Sequence, residues 1–358
     1  MRIVILISND VSYDQRMLKT ARTLEKNGFE VTFIGRKKNR IYKNDIFKTH
    51  RFDLFFNKGK LFYIELQIRM IWYLLFKKFD KILAVDLDTS IAAYVISKVK
   101  NKPYILDCHE LFPEVPELHN RIFSKKIWEL IENVALKNAS KVYTVSQSIS
   151  DFYLNKYKIN CDVIYNMPLK IKETSIKNND NKKKVILYQG DLNEGRGLEA
   201  MIQSMLKIDA EFWIIGEGLR YQKLKDLIEK LNLEHKVFLK GAFLPDQLHQ
   251  ITSQADIGIN LLENKGLSYY FSLANKFFDY VQSEIPSLNM NFPEYKYFLS
   301  QHQVGLTVDN LEPINLIETI NVLFSFTENK NFNDAILNAK KEWIWENQEP
   351  RLIQNFYN

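Results

Sequence analysis

This chain has few of the residues that staple, anchor or metallate a protein. It has two cysteines, Cys108 and Cys161, in 358 residues. That is too few for a disulfide framework or a Cys/His metal knuckle, and it suits a reducing cytoplasm. No stretch approaches the roughly 18–20 consecutive apolar residues of a spanning helix. The apolar run near Met1 is too short for a signal peptide. Neither sign of charge dominates: a net +6 permits attraction to anionic lipid or anionic substrates without asking for nucleic acid. The G-x-G-x-x-G and Walker glycine spacings are absent, as is the serine elbow of hydrolases. Asp86-Leu-Asp88 has D-x-D spacing, but nothing else supplies the further oxygens a divalent ion needs. Asp88 is instead expected to N-cap a helix over Ile91–Lys98.

What is present is ordinary globular composition, 46% hydrophobic and 26% charged, in a chain long enough for two cores. The first half alternates strand and helix. Ile3–Ile7 is a continuous apolar run, as in a strand buried on both faces. Met17–Lys26 has helical spacing, closed by Gly28. Then come strand Val31–Ile34, helix Leu66–Phe76, strand Ile82–Val85, helix Ile91–Lys98, strand Tyr104–Leu106, helix Ile127–Lys137, and strands Lys141–Val145 and Asp162–Ile164. This is the βαβ alternation of a doubly wound sheet. The lysine-rich stretch 168–184 has almost nothing to bury and reads as a linker. Alternation restarts at Val185–Tyr188 and continues through the strand after Pro286. A final helix is expected over Glu342–Tyr357. The expected organisation is an α/β pair of domains, 1–167 and 185–343, with a C-terminal helix from about 344 to 358 returning to the first.

Several loops at strand ends carry residues suited to chemistry. Asn275–Ile285 starts an amphipathic helix with a polar pair, Asn275-Lys276, and places a carboxylate, Asp279, one turn later. A helix N-terminus binds anions through its free N–H groups and dipole, and a carboxylate one turn on can accept from sugar hydroxyls. Together they fit a nucleotide. The loop Gly190–Gly197 holds Gly190, Gly195 and Gly197 around Arg196, which can fork two phosphate oxygens. Gly216 and Gly218 leave room for a ligand over a strand end. In the first half, Asp107, His109, Glu110 and Glu114 cluster after a strand, and Asp14 and Arg16 follow the first strand. Arg16 could equally pair with Asp14. The basic segment Arg36–Lys60 runs into an aromatic stretch including Phe62, Tyr63, Ile64, Ile68, Trp72 and Phe76, a combination that docks on anionic membranes or else forms a solvated loop and a core helix.

Taken in order and spacing, these motifs resemble the retaining glycosyltransferases of family four, which have the GT-B fold. The resemblance runs through Asp14-Gln-Arg16, Asp107–Glu114, Ala139–Ser148, Asn166-Met-Pro168, Gly190–Gly197, Ile215–Gly218, Ala255–Gly258, Ser272–Tyr280 and Val304-Gly305. It implies two facing Rossmann-like domains, with the second binding a nucleoside-diphosphate sugar and the first reading the acceptor. It places Arg196 on the donor diphosphate and Asp279 on the ribose. Ser272, Leu273, Ala274, Asn275 and Lys276 would offer backbone N–H groups, and Gly216–Gly218 with Gly241–Phe243 would border the base. His109 would stand near the donor sugar, with Asp14, Arg16 and Glu110 toward the acceptor. The chain departs from the pattern twice: Phe271 replaces the first glutamate of E-x7-E, and Asp191 replaces an arginine.

The expected chemistry is metal-independent transfer with retention, needing no cofactor beyond the donor, to a hydroxyl of a glycan or lipid-linked acceptor in cell-surface polysaccharide synthesis. The expected setting is the cytoplasm, peripheral on the inner membrane face. Two alternatives stay open: a catalytically silent nucleotide-sugar-binding scaffold, suggested by Phe271 and Asp191, and a GT-B-fold sugar-nucleotide 2-epimerase, suggested by the carboxylates around Asp107. A nicotinamide dehydrogenase is disfavoured by the missing glycine fingerprint.

Overall fold

The structure is a computed structural model, and it describes residues 1–11, 14–38, 46–171, 183–326 and 329–357. Most of the expected linker, together with Arg40 and Lys43 of the basic segment, lies outside the described residues. The chain divides into two compact units, Met1–Asn166 with Gln348–Asn358, and Met167–Asn347.

In the first unit the elements are β1 (Arg2–Leu6), α1 (Gln15–Lys26), β2 (Glu30–Arg36), β3 (Lys48–Phe52), α2 (Gly59–Leu75), β4 (Lys81–Val85), α3 (Leu87–Lys100), β5 (Tyr104–Cys108), α4 (Ile122–Asn138), β6 (Lys141–Thr144), α5 (Gln147–Tyr157) and β7 (Asp162–Val163). The strands pair in parallel in the order β3-β2-β1-β4-β5-β6-β7. β4 and β5 are buried throughout, which is why they read as unbroken apolar runs rather than alternating ones. The strand order reverses between β1 and β4, and ligands of open α/β sheets bind beyond the carboxyl ends of strands at such a point.

Three local expectations are corrected here. Lys48–Phe52, read as loop, is the edge strand β3. Its charged, mixed sequence suits an edge that must not recruit another chain. α2 starts seven residues before the expected Leu66, at Gly59. Asp88 does not cap α3. Asp86 occupies the cap position without capping, its carboxylate taken by the His109 backbone N–H at 2.7 Å. Asp88 lies buried in the first turn, its carbonyl accepting from Gln67. Burial, then the neighbouring Asp86, pushes the Asp88 carboxyl up to about 7.

The second unit contains β8 (Val185–Gln189), α6 (Leu198–Ser204), β9 (Glu211–Ile215), α7 (Tyr221–Lys230), β10 (Val237–Gly241), α8 (Pro245–Thr252), β11 (Ile257–Asn260), α9 (Leu267–Tyr270), α10 (Asn275–Gln282), β12 (Ser287–Met290), α11 (Pro293–Gln301), β13 (Gly305–Val308), α12 (Pro313–Phe326) and α13 (Lys330–Glu342). Its parallel order is β10-β9-β8-β11-β12-β13, reversing between β8 and β11. An aromatic cluster fixes α10. Phe277 and Phe278 are fully buried, with ring centroids 5.7 and 6.0 Å from Trp343, and Phe278 packs on Phe298 at 5.2 Å. Each such buried ring stabilises by about 1.5–3 kcal/mol. Tyr280 lies across Gly258 so closely that a Cβ there would stand 2.3 Å from its ring, and its hydroxyl donates to the Ile259 carbonyl at 3.0 Å. The glycine of β11 is therefore a packing requirement of α10.

The expected C-terminal helix is two elements. α13 ends at Glu342, a short turn spans Trp345–Asn347, and α14 (Glu349–Tyr357) starts afresh. Pro350 is tolerated in a first helical turn but not inside a continuous helix. Trp343 and Trp345 are buried in the second unit, whereas α14 belongs to the first. Its Glu349 takes Lys26 at 2.8 Å and Thr23 at 3.1 Å, and the Phe356 ring meets Phe29.

Candidate active site

In the second unit the expected donor residues gather around the carboxyl end of β8. β8 supplies Tyr188 and Gln189 and passes into Gly190. α10 supplies Lys276 and, three residues on and so on the same helical face, Asp279. The Lys276 Nζ lies 3.6 Å from the centroid of the Tyr188 ring, a cation–π contact, against the backbone of Gly190. At Gly190, φ is 137°, a conformation that side-chain-bearing residues rarely adopt, and a Cβ would stand 3.1 Å from that Nζ. Arg196 reaches the same neighbourhood over the Tyr269 ring at 5.4 Å, with its Nε buried and without a hydrogen-bond partner. Burial, and then the Arg196 charge, push the Lys276 ammonium well below the usual lysine range. Two partly buried basic groups thus sit close enough for Arg196 to disfavour the charged form of Lys276, which the Asp191 and Asp279 charges only partly offset; among the described residues neither forms an ion pair. The nearby Glu194 is already held by Arg220 and by Lys265 at 2.8 Å, and Asp191 is exposed.

Asp279 is fixed through a chain of side chains. Thr252 Oγ1 donates to Gln189 Oε1 at 2.7 Å, and Gln189 Nε2 donates to Asp279 Oδ2 at 3.1 Å. The N-terminus of α10, the end of a helix that favours anions, has no side-chain cap; the Ala274 N–H donates to Tyr295 at 3.0 Å and the Phe277 N–H to the Ala274 carbonyl at 3.0 Å. Leu273 is buried and can contribute only backbone, and Ser272 donates its hydroxyl to the Tyr269 carbonyl at 2.7 Å.

The glycines are required by the packing of the backbone itself. A Cβ on Gly216 would fall 1.9 Å from the Gly190 carbonyl oxygen, and one on Gly218 would meet the Leu192 backbone at 2.5 Å. Loop 190–192 is laced to loop 216–218 by Gly190 N–H to Ile215 O at 3.0 Å and Leu192 N–H to Glu217 O at 2.9 Å. The space they open is filled by backbone, which builds the floor of the site. Gly195 and Gly197 are pressed against Tyr269 and Leu261. Phe243 stands exposed after β10, two residues beyond Gly241, whose carbonyl accepts from the Gly216 N–H at 2.9 Å. Phe271, at the missing glutamate, is half-buried and stacks obliquely on Tyr270.

In the first unit Arg16 is buried. It grips Asp107 with two hydrogen bonds at 3.0 and 3.1 Å and donates to the Ile164 carbonyl at 2.9 Å. It does not pair with Asp14, whose carboxylate caps α1 by accepting from the Met17 N–H at 3.0 Å. The carboxylate cluster expected around Asp107 is dispersed. Asp107 belongs to Arg16 and His109, Glu114 pairs with Lys125 at 2.8 Å, and Glu110 is exposed. His109 Nε2 lies 3.0 Å from Asp107 Oδ2 and its Nδ1 3.5 Å from Asp86 Oδ2. Burial would depress its pKa, but the Asp107 and Asp86 charges outweigh burial and raise it to about 9. Asp107 is likewise disfavoured by burial, yet the Arg16 charge, then His109, bring it down to about 2.

The raised His109 pKa has a stability consequence. Its contribution is fully present below the unfolded value near 6.5, and it is lost as pH rises through about 9. Lys276 titrates with the opposite sign, so the informative quantity is a difference. The unfolding free energy of the wild type minus that of His109→Gln should shrink between pH 6.5 and 9, on the order of 2–3 kcal/mol in all. A flat difference would show that His109 is not held as an imidazolium.

Sequence reading missed Tyr188, Gln189 and Thr252 as site residues and saw Lys276 only as a backbone donor. Neighbourhood to the Gly190 loop was the available signal for Gln189; nothing local marks Thr252.

Residues 15–167 match the family described as Glycosyltransferase Family 4, and residues 170–274 the one described as Glycosyl transferases group 1. A Campylobacter jejuni relative, N-acetylgalactosamine-N,N'-diacetylbacillosaminyl-diphospho-undecaprenol 4-alpha-N-acetylgalactosaminyltransferase, is 36% identical over 85 residues, which is 23% of this chain and 23% of that protein. The match thus spans under a quarter of the relative's length. Among solved structures, a sucrose-phosphate synthase from Thermosynechococcus elongatus superposes with TM-score 0.82 at 15% identity, covering 99% of this chain and 98% of that one. Anabaena HepE, solved with UDP, superposes at 0.78 and 16% identity, covering 99% of both chains. At these identities the likeness is one of fold: two parallel-sheet α/β domains of GT-B type.

Proposed function

The chain belongs to the family-four type of glycosyltransferases, and from that premise we propose that it transfers a sugar, with retained configuration and without a metal or other cofactor, from a nucleoside-diphosphate sugar to a lipid-linked glycan in cell-surface polysaccharide synthesis. The observation that carries the donor half of this reading is the pair Arg196 and Lys276, crowded together beside the uncapped N-terminus of α10. A diphosphate brings a closer anion to that pair and gains charge as it leaves, so cations there stabilise the departing group more than the bound donor. This replaces the metal that other transferases use. Asp279, oriented by Gln189, accepts from the ribose hydroxyls.

His109 is held as an imidazolium and so acts as an electrostatic and positioning group. It cannot accept the acceptor proton near neutral pH. That proton passes to the leaving diphosphate, which departs from the face the acceptor attacks. Asp14 and Arg16 shape the first unit from within rather than touching the acceptor, and Glu110 remains the exposed candidate there. The acceptor class follows the Campylobacter relative, whose name specifies a diphospho-undecaprenol substrate. The setting that goes with it is the cytoplasmic face of the membrane.

The silent-scaffold reading keeps its two supports, Phe271 in place of an acid and Asp191 in place of an arginine. The test is a thermal-shift panel of UDP-, GDP-, dTDP- and CMP-sugars, followed by donor turnover on the hit. A shift with one diphosphate nucleotide and turnover with a lipid-linked acceptor are expected. A shift without turnover would install the scaffold, and no shift with any would end the donor reading.

A further inference from the structure

α2 has no polar face. Its inner side, with Phe62, Leu66, Met70 and Leu74, is buried in the first unit. Its outer side is equally apolar: Leu61, Ile64, Ile68, Trp72 and Phe76 recur every three or four residues along one stripe, and all are exposed, Trp72 by 67% and Phe76 by 71%. A helix apolar all round belongs either in a core or against lipid. The stripe continues onto α4, where Phe123 is 72% exposed, with Ile127 and Leu130 also open. The two helices share this surface: the Tyr63 and Trp128 rings lie 5.3 Å apart, and Lys60 Nζ stands 5.7 Å from the Phe123 ring centre.

The loop before α2 adds an exposed aromatic pair, Phe55 at 84% and Phe56. Glu65 holds this loop in place. Its two carboxylate oxygens accept the backbone N–H groups of Phe55 and Phe56 at 3.1 and 3.0 Å, and Arg69 pairs with it at 2.7 Å. The one acid of α2 is thereby neutralised and turned inward, while Arg69 also lies 5.2 Å from the Phe55 ring centre. The rim is basic: Lys58 and Lys60 at one end, Lys77 and Lys78 at the other, and Arg121 and Lys126 on α4.

We propose that this α2–α4 face seats the protein on an anionic lipid bilayer, with α2 lying flat in the interface, its apolar stripe among the acyl chains and its basic rim at the headgroups. This rests on the lipid-linked acceptor for its purpose, but on the first unit's own surface for its evidence. α2 has 17 residues, about 25 Å of helix. Among the described residues no helix is long and apolar enough to cross a membrane; lying flat is the geometry of an interfacial helix. Charge decides the occupant. Two copies meeting through this face would bring like-charged rims together, whereas anionic headgroups complement them.

The test is flotation of the full chain with vesicles of phosphatidylcholine, with and without phosphatidylglycerol, over a salt series. Ile68→Ser with Trp72→Ser and, separately, Lys58→Glu with Lys126→Glu are compared with wild type, after checking that each keeps its melting temperature and its response to the nucleoside diphosphate. Wild type should float with the anionic vesicles. The serine pair should lose about tenfold or more in affinity, and the charge-reversed pair should bind weakly with little salt dependence. Failure of wild type to float with anionic vesicles, or serine variants that float as wild type does, would overturn the proposal. So would a wild-type dimer that the serine pair dissociates in the absence of vesicles, which would make the face a contact between copies. Vesicle binding without sugar transfer would count against the proposed reaction alone.

Discussion

Arg196→Ala is expected to weaken nucleoside-diphosphate binding by about 30- to 100-fold, the equivalent of about 2–3 kcal/mol for charge-assisted, forked hydrogen bonds, while leaving the melting temperature of the free protein unchanged or raised. The second half of that result is the more telling. Most arginines removed from a partly buried position take stability with them. Here the Nε lacks a partner and the guanidinium lies close enough to lower the Lys276 pKa, so its loss relieves repulsion in the empty site. Lys276→Met should likewise weaken binding and free the Tyr188 ring. The two effects should not add: without Arg196, Lys276 regains its charge more easily and compensates in part. Because Lys276 is held below its ordinary range, diphosphate binding should also draw a proton onto it, and the measured heat of binding should depend on the buffer's ionisation enthalpy. A loss of stability in Arg196→Ala with undiminished nucleotide binding would mean that Arg196 serves the fold and that the diphosphate is held elsewhere.

Asp107→Asn is expected to produce the largest change in stability, about 3–5 kcal/mol, because it leaves the buried Arg16 guanidinium uncompensated. In a unit of this size that is a fall in melting temperature of roughly 6–20 °C. Arg16 ties a helix to two strand ends: it starts from α1, takes both oxygens of Asp107 at the end of β5, and reaches the Ile164 carbonyl just past β7. Arg16→Met should cost less, since the Asp107 carboxylate keeps the His109 imidazolium 3.0 Å away. The double variant Arg16→Met/Asp107→Asn should cost clearly less than the two single losses together, because no unpaired charge remains. His109 gives an independent readout: with Asp107 neutral its main raising charge is gone, and its pKa measured by NMR should fall from about 9 toward or below its ordinary value. Additive stability losses with an unmoved His109 pKa would show that the three groups do not act as one network.

Much of the architecture was readable before any contact was known. A parallel strand buried on both faces is a local apolar run, and Ile3–Ile7, Ile82–Val85 and Val185–Tyr188 announce themselves this way. Polar and edge elements did not. β3 carries Lys48, His50 and Arg51, and only its pairing with β2 makes it a strand; α5 is a short helix whose Ser146 cap was hidden within a motif read for other reasons. The C-terminal break was written in Pro350, yet the burial of Trp343 and Trp345 away from α14 is what demands it.

At the candidate site the sequence by itself marked the start of α10, the loop around Arg196 and the acid cluster after β5. Each is a contiguous run whose spacing carries meaning along a helix turn or a loop. The tertiary structure alone decided the pairings. Lys276 lies on Tyr188, Thr252 orients Asp279 through Gln189 across 63 residues, and Arg16 binds Asp107 across 91 residues rather than Asp14 beside it. It also decided that Gly216 is a glycine because the Gly190 backbone lies where a Cβ would stand. The physical reason is common to all four. Local periodicity fixes which face of an element is buried, but which strand ends meet depends on sheet order, and a charge takes the partner that shares its burial rather than its neighbour in sequence.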